Sequence, residues 1–247
     1  MQGHLKLMLI SSLAFSACSA QAAVAPDRTR LVFRGDEKSI SVDLKNASEK
    51  LPYLAQSWVE DDKGQRIASP LAVVPPVQRI EAQGIGQVKI QGMPGLSALP
   101  QDRETLFFYN VREIPPKNDK PNTLQIALQT RIKLFYRPAS LANVDSMHPW
   151  QHQVTLEKKG NQYQVNNATG YYVILSNASN RVDGTTAKGF EPMVIPPRTS
   201  PVMQVNAADL GSAPVLTYVN DYGARLPLIF DCSAGKCKVN EEKSRKS

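Results

Sequence analysis

The groups from which this 247-residue chain could build chemistry are few: three cysteines, three histidines and a scattering of charge. Cys232 and Cys237 are separated by Ser233-Ala234-Gly235-Lys236, and the glycine suits a tight turn that brings the two thiols together across a hairpin. Oxidised to a disulfide, so short a loop stabilises by about 2 kcal/mol through the entropy removed from the unfolded chain. Zinc is the rival use of the two thiols, but its remaining ligands would have to be His148 and His152, which lie in a separate region. Those histidines flank Trp150 at a helical spacing within a proline-punctuated stretch and read as surface residues. Signatures of catalysis are missing: there is no Gly-x-Ser-x-Gly elbow, no glycine loop that cradles phosphate and no His-Glu-x-x-His helix. The chain does not read as an enzyme and calls for no cofactor.

A disulfide needs an oxidising compartment, and the first residues supply the address. Lys6 precedes the apolar residues Leu7 to Ile10 and Leu13 to Ala17, and Ala20-Gln21-Ala22 offers small side chains where a signal peptidase inspects the chain. The expected leader is 1–22, with cleavage after Ala22. The alternative is Phe15-Ser16-Ala17-Cys18, which loosely resembles a lipoprotein box and would tether the chain through a lipidated Cys18; that box favours Leu where Phe15 stands. With 42% hydrophobic and 21% charged residues the remainder reads as a globular domain pair, and no apolar run reaches the roughly 20 residues of a membrane-spanning helix. The net charge of +7 and the basic residues Lys236, Lys238, Lys243, Arg245 and Lys246 raise a nucleic-acid binder as a rival, which export opposes. A solvated tail is the simpler account of them.

The elements that must position these groups are strands. Alternation with a period of two dominates, and no amphipathic helix of ten or more residues stands out. Strands are expected at 29–33, 39–44, 53–60, near Val73, and at 87–90, 105–113 and 124–136. A second set is expected at 153–158, 162–166, 171–177, near Met193, and at 201–205, 215–220, 226–231 and 236–240. Prolines and small residues between Arg137 and Pro149 interrupt the pattern, so the chain divides into two all-β sandwiches, 23–142 and 143–247. The first half has Trp58 and no cysteine, so its core must hold by packing alone.

One segment exceeds an ordinary strand. From Leu124 to Phe135 the even positions are nearly all large and apolar and the odd positions mostly polar, which at 3.3 Å per residue gives a strand about 40 Å long. Either it is a core strand continuing toward the linker, or part of it lies on a sheet edge and offers Leu124, Ile126 and Leu128 to another protein. A bare apolar edge invites aggregation, so a chain that keeps one has a use for it.

At this strand the sequence resembles the periplasmic chaperones of the chaperone-usher pilus pathway. The resemblance rests on Asp27-Arg28-Thr29-Arg30, Leu51-Pro52-Tyr53-Leu54-Ala55-Gln56, Pro75-Pro76-Val77-Gln78-Arg79, Leu99-Pro100-Gln101-Asp102-Arg103-Glu104, Asn110-Val111-Arg112-Glu113-Ile114-Pro115-Pro116, the run Gln125 through Pro138, and Val219-Asn220-Asp221-Tyr222-Gly223. It implies two immunoglobulin-like domains set as an L around a cleft. It also implies that Leu124, Ile126 and Leu128, on a donated strand around 122–135, fill the groove of a pilus subunit whose own sandwich lacks a strand. By the same resemblance Arg30 and Lys133 anchor the subunit's C-terminal carboxylate, and Glu104, Arg137 and Asp221 form an interdomain salt bridge. The partners implied are pilus subunits, bound one to one, and an outer-membrane usher; whether a second copy caps the bare edge when the protein is free is left open by the sequence. The short connection Pro115-Pro116-Lys117-Asn118-Asp119-Lys120-Pro121 is similar to the short-loop subfamily, whose clients build rod-like pili. An exported adhesin or pilus component is the rival reading, opposed by the two domains and the internal position of the strand. Lys133 has the opposite parity from Leu128, so either the strand twists strongly or the two contacts use different faces.

Overall fold

The computed structural model describes residues 22–117 and 124–246. The expected leader lies outside the described residues save Ala22, as do Asn122 and Thr123 at the start of the expected donor segment, Cys18, and most of the short connection before it.

Two hydrophobic cores form, one on each side of the linker. Around the first, a four-stranded sheet runs in the order Val24–Pro26, Ser39–Asn46, Ile85–Gly92, Leu71–Val74. Facing it, a second sheet runs Arg30–Arg34, Gln129–Arg137, Thr105–Ile114, Tyr53–Glu60, Arg66–Ile67, with Val77–Ile80 also pairing Tyr53–Glu60. Alternation sorts each strand between the layers: Leu31 and Phe33 point into the core, as do Phe107, Tyr109 and Val111, while their neighbours face outward. Trp58 is not a core residue. It lies on the outward row of Tyr53–Glu60 and donates its ring N–H to Glu60 Oε1 at 2.8 Å. The large buried ring is Tyr109, whose hydroxyl lies 2.9 Å from Ser57 Oγ and whose pKa burial pushes up to about 12.

The second half is a continuous path of strands, Met193–Ile195, Val173–Ser179, Val215–Val219, Arg225–Ser233, Lys236–Val239, Thr155–Lys159, Gln162–Asn166 and Val202–Met203. Arg225–Ser233 serves both layers of this sandwich: Arg225 to Ile229 pair with Val215–Val219, and Phe230 to Ser233 pair with Lys236–Val239. Cys232 and Cys237 are direct cross-strand partners and are joined by a disulfide, with Cys237 buried in the core. Between them Ala234 and Gly235 both take positive φ, 49° and 80°, the turn whose twist matches flanking strands.

Two expectations are corrected. His152 is not a surface residue: its side chain is 6% exposed, and burial lowers its pKa. His148 is exposed and pairs with Asp145 at 2.8 Å. The basic C-terminus is not a loose tail either. Glu241–Arg245 forms a short helix that docks on Arg225–Ser233 through Ser244, whose hydroxyl accepts from Ile229 N–H at 2.9 Å and donates to the Asn240 carbonyl at 2.8 Å. Glu241, Glu242 and Asp231 pair with its cations, which is why charge counting alone misread it.

Candidate functional site

The strand Gln129–Arg137 is where the two halves and the solvent meet. Its even residues Ile132, Leu134 and Tyr136 pack in the first core, and its odd residues Arg131, Lys133, Phe135 and Arg137 face outward. It pairs antiparallel with Thr105–Ile114 along most of its length. On its other edge the parallel partner Arg30–Arg34 begins only at Lys133. Before Lys133, therefore, that edge is open among the described residues.

The ladder is shorter than the alternation predicts, beginning at Gln129 rather than Leu124. One further backbone bond, from Glu113 N–H to the Leu128 carbonyl at 3.0 Å, marks where it stops. Beyond Ile114 the neighbouring chain runs into Pro115 and Pro116, which have no N–H to give. The three aliphatic side chains that precede the ladder are left in solvent: Leu124 is 83%, Ile126 62% and Leu128 36% exposed. The parity question also resolves. Leu128 has the parity of the core row but lies past the last rung, whereas Lys133 sits on the outward row, so the two residues use different faces.

Lys133 is the register partner of Arg30 across the parallel pair. Among the described residues neither makes an ion pair with a carboxylate. Arg30 Nε is buried without a hydrogen-bond partner, and its Nη1 reaches the Val219 carbonyl of the second sandwich at 3.5 Å. Burial lowers the pKa of Arg30 despite the field of Asp221. Burial, then the neighbouring Arg30 and Arg131 charges, lowers that of Lys133. Two half-buried cations side by side without a counter-ion favour an anion between them.

Four residues along the strand Arg137 is almost fully buried, with side-chain exposure of 5%, and ties the halves together. Its Nε donates to Glu104 Oε1 at 2.7 Å, and its Nη1 and Nη2 donate to the two Asp221 oxygens at 2.8 and 3.1 Å. The other Glu104 oxygen accepts from Tyr172 N–H at 2.7 Å, and Glu104 N–H donates to the Gly170 carbonyl at 2.8 Å. Burial pushes the Glu104 pKa up to about 6 against the pull of Arg137. Sequence reasoning missed the aromatic part of this joint. Trp150 and Tyr171 stack on each other with centroids 4.5 Å apart and lie 5.0 and 5.2 Å from the Arg137 guanidinium. A tryptophan between two linker histidines was the available signal. A cavity of about 760 Å³ opens between the halves, lined by Arg30, Val32 and Arg34 on one side and Trp150, Tyr218 and Asp221 on the other.

Similarity to known proteins agrees with this geometry. The family described as pili and flagellar-assembly chaperone, PapD N-terminal domain, matches residues 23–142, and pili assembly chaperone PapD, C-terminal domain, matches 149–230. The probable fimbrial chaperone YfcS of Escherichia coli K12 is 58% identical over 244 residues, covering 99% of this chain and 96% of that one. The chaperone protein PapD of Escherichia coli is 42% identical over 239 residues, covering 96% and 98%. The crystal structure of the E. coli chaperone DraB superposes with a TM-score of 0.70 at 25% identity, covering 86% of this chain and 97% of that one. Two immunoglobulin-like sandwiches, matched in order by both domains of one family and by relatives over nearly their whole length, leave a single assignment: the chain belongs to the PapD family of periplasmic pilus-assembly chaperones.

Proposed function

We propose that the chain, a non-catalytic periplasmic chaperone, binds pilus subunits one to one by lending them the strand around 122–135, and then hands them to an outer-membrane usher. The observation that carries this reading is an aliphatic row, Leu124, Ile126 and Leu128, exposed on a segment whose free edge runs straight to the unpaired cations Arg30 and Lys133. Nine residues separate Leu124 from Lys133, about 30 Å of extended chain. A subunit strand whose carboxylate lies between Arg30 and Lys133 and whose body lies toward Leu124 runs parallel to the donated strand. Backbone bonds then give affinity, and the three side chains give register. Burying them contributes roughly 5 to 9 kcal/mol before association costs. Glu104, Arg137 and Asp221 hold the angle between units 23–142 and 143–247, and with it the cleft. The leader 1–22 is removed on export. In the absence of a subunit, a second copy covers the bare segment.

Arg30→Ala or Lys133→Ala is expected to abolish recovery of the subunit while the chaperone remains folded, and Ile126→Asp to do the same through the groove. Normal pilus assembly by both cation variants would sink the carboxylate anchor. Unchanged subunit binding by Ile126→Asp would show that the long strand serves only its own core.

A further inference from the structure

The outward face of the first sandwich carries more charge than the carboxylate anchor needs. Register places Arg66, Glu60, Phe108, Lys133 and Arg30 in one row across five adjacent strands. The next rows hold Trp58, Asn110 and Arg131, then Gln56, Arg112 and Gln129. Directly opposed side chains on such a face lie about 5 Å apart, so these rows form one continuous surface.

Three of its cations lie over aromatic rings. The Arg131 guanidinium lies 3.4 Å from the Phe108 centroid, and Arg66 and Arg112 flank Trp58 at 5.3 and 5.8 Å. Arg112 is further fixed by donation from Nη2 to Gln56 Oε1 at 2.7 Å. The carboxylate in these rows, Glu60, is occupied by the Trp58 ring N–H at 2.8 Å and by Arg131 Nε at 2.9 Å. Among the described residues Arg66 and Arg112, like Arg30 and Lys133, make no ion pair. A guanidinium stacked on a ring keeps its N–H edge free and loses little freedom on binding, which suits bidentate capture of carboxylates.

We propose that this face is a landing surface for the pilus subunit, with Arg66 and Arg112 receiving Asp or Glu side chains on the subunit's body and Arg131 adding to the field. The proposal rests on the donated-strand reading. A subunit seated on the open edge before Lys133, with its terminus at Arg30 and Lys133, overhangs the same face, because the row from Arg30 to Arg66 is unbroken. The charge sign then asks for an acidic flank on the subunit beside its groove. Such fixed cations act mainly on the rate of encounter, raising it at low salt and losing effect as salt rises.

The test uses the mature full-length chain and the pilus subunit that co-purifies with it, identified by mass spectrometry and diluted from urea into chaperone. Arg66→Gln/Arg112→Gln is expected to slow complex formation about tenfold at low ionic strength and to flatten its salt dependence. Arg66→Lys/Arg112→Lys should restore most of the association rate, which follows charge, while the complex dissociates faster than wild type because an ammonium cannot hold a carboxylate bidentately. Both residues are exposed, so unchanged thermal melting checks the fold of each variant. A rate and salt slope equal to wild type, with Arg30→Ala and Ile126→Asp still abolishing the complex, overturns the landing surface and leaves strand donation standing. Intact complexes in those two variants as well overturn both. Binding to vesicles of phosphatidylglycerol and phosphatidylcholine that depends on Arg66 and Arg112, with subunit kinetics unchanged, assigns the face to a membrane surface instead and overturns the proposal.

Discussion

The buried carboxylate at the joint between the halves makes a quantitative demand. Glu104 has 2% side-chain exposure and a pKa of about 6, against an ordinary 4.5. Burial raises it; Arg137 and the Tyr172 N–H oppose burial without cancelling it. Because the folded state holds the proton more tightly than the unfolded one, this group's contribution is fully present below pH 4.5 and is lost as pH rises through 6. A shift of this size corresponds to about 2 kcal/mol at 1.36 kcal/mol per pKa unit. Other carboxylates move the opposite way, since arginine hydrogen bonds hold Asp36 and Glu81 below their ordinary range, so the whole-protein curve does not isolate Glu104. Its difference from Glu104→Gln does. The substitution keeps the shape and the acceptor for Tyr172 but removes the titration. In urea unfolding at a series of pH values, wild type minus variant should fall by about 2 kcal/mol between pH 4.5 and 7.5. For a chain of this length that is a Tm difference of about 4 to 8 °C. A difference that stays flat across the window refutes the claim that burial outweighs Arg137 at this carboxylate.

Other consequences are simpler to read. Cys232→Ser/Cys237→Ser should lower stability by about 2 kcal/mol, the loop-closure value for so short a ring, and a loss near zero would mean that the turn at Ala234 and Gly235 already closes the hairpin unaided. Mass spectrometry of the exported protein should give Ala23 as its first residue; a diacylated Cys18 would replace cleavage after Ala22 with a membrane tether.

Much of the fold was legible because alternation is a local signal. The strands expected at 53–60 and 162–166 are found with those bounds, and the two cores divide at the prolines that interrupt the pattern. What escaped were short or irregular pieces: Val24–Pro26, Arg66–Ile67 and Val77–Ile80 are too brief for a period to show. The over-length strand failed for a different reason. Alternation reports which side of a strand is apolar, but a ladder needs neighbours, and whether Pro115 and Pro116 withhold theirs depends on a pairing that no local pattern records. The same limit hid the aromatic part of the joint. Glu104 and Arg137 stand out as charges in a sequence, while the Trp150 and Tyr171 rings beside the guanidinium come from segments that meet only in the folded chain. His152 was misjudged because its neighbours are set by the fold: its ring lies 3.9 Å from Glu241 of the C-terminal helix, a contact that only the folded chain makes.

The exposed leucines and the buried arginine are parts of one argument about rigidity. A segment that lends side chains, as proposed for 124–128, must be aimed, and among the described residues its backbone is held by little beyond the bond from Glu113 N–H to the Leu128 carbonyl. Directly after it the chain enters a ladder at Gln129, and from Lys133 to Tyr136 it is bonded on both edges. Leu134 and Tyr136 anchor that stretch in one core from below, and Arg137 ties it to the second sandwich at its far end. Any change in the angle between the sandwiches therefore acts on the strand that carries the segment proposed for donation, and any load on that segment is borne by the joint. On the proposed function this arrangement explains why Arg137 and Glu104 are buried rather than placed at the rim, with the partly exposed Asp221 closing the joint from the solvent side. Exposed pairs are worth little and are screened by salt, whereas a buried arginine with both carboxylates in place resists displacement because parting from either would strand a charge out of water.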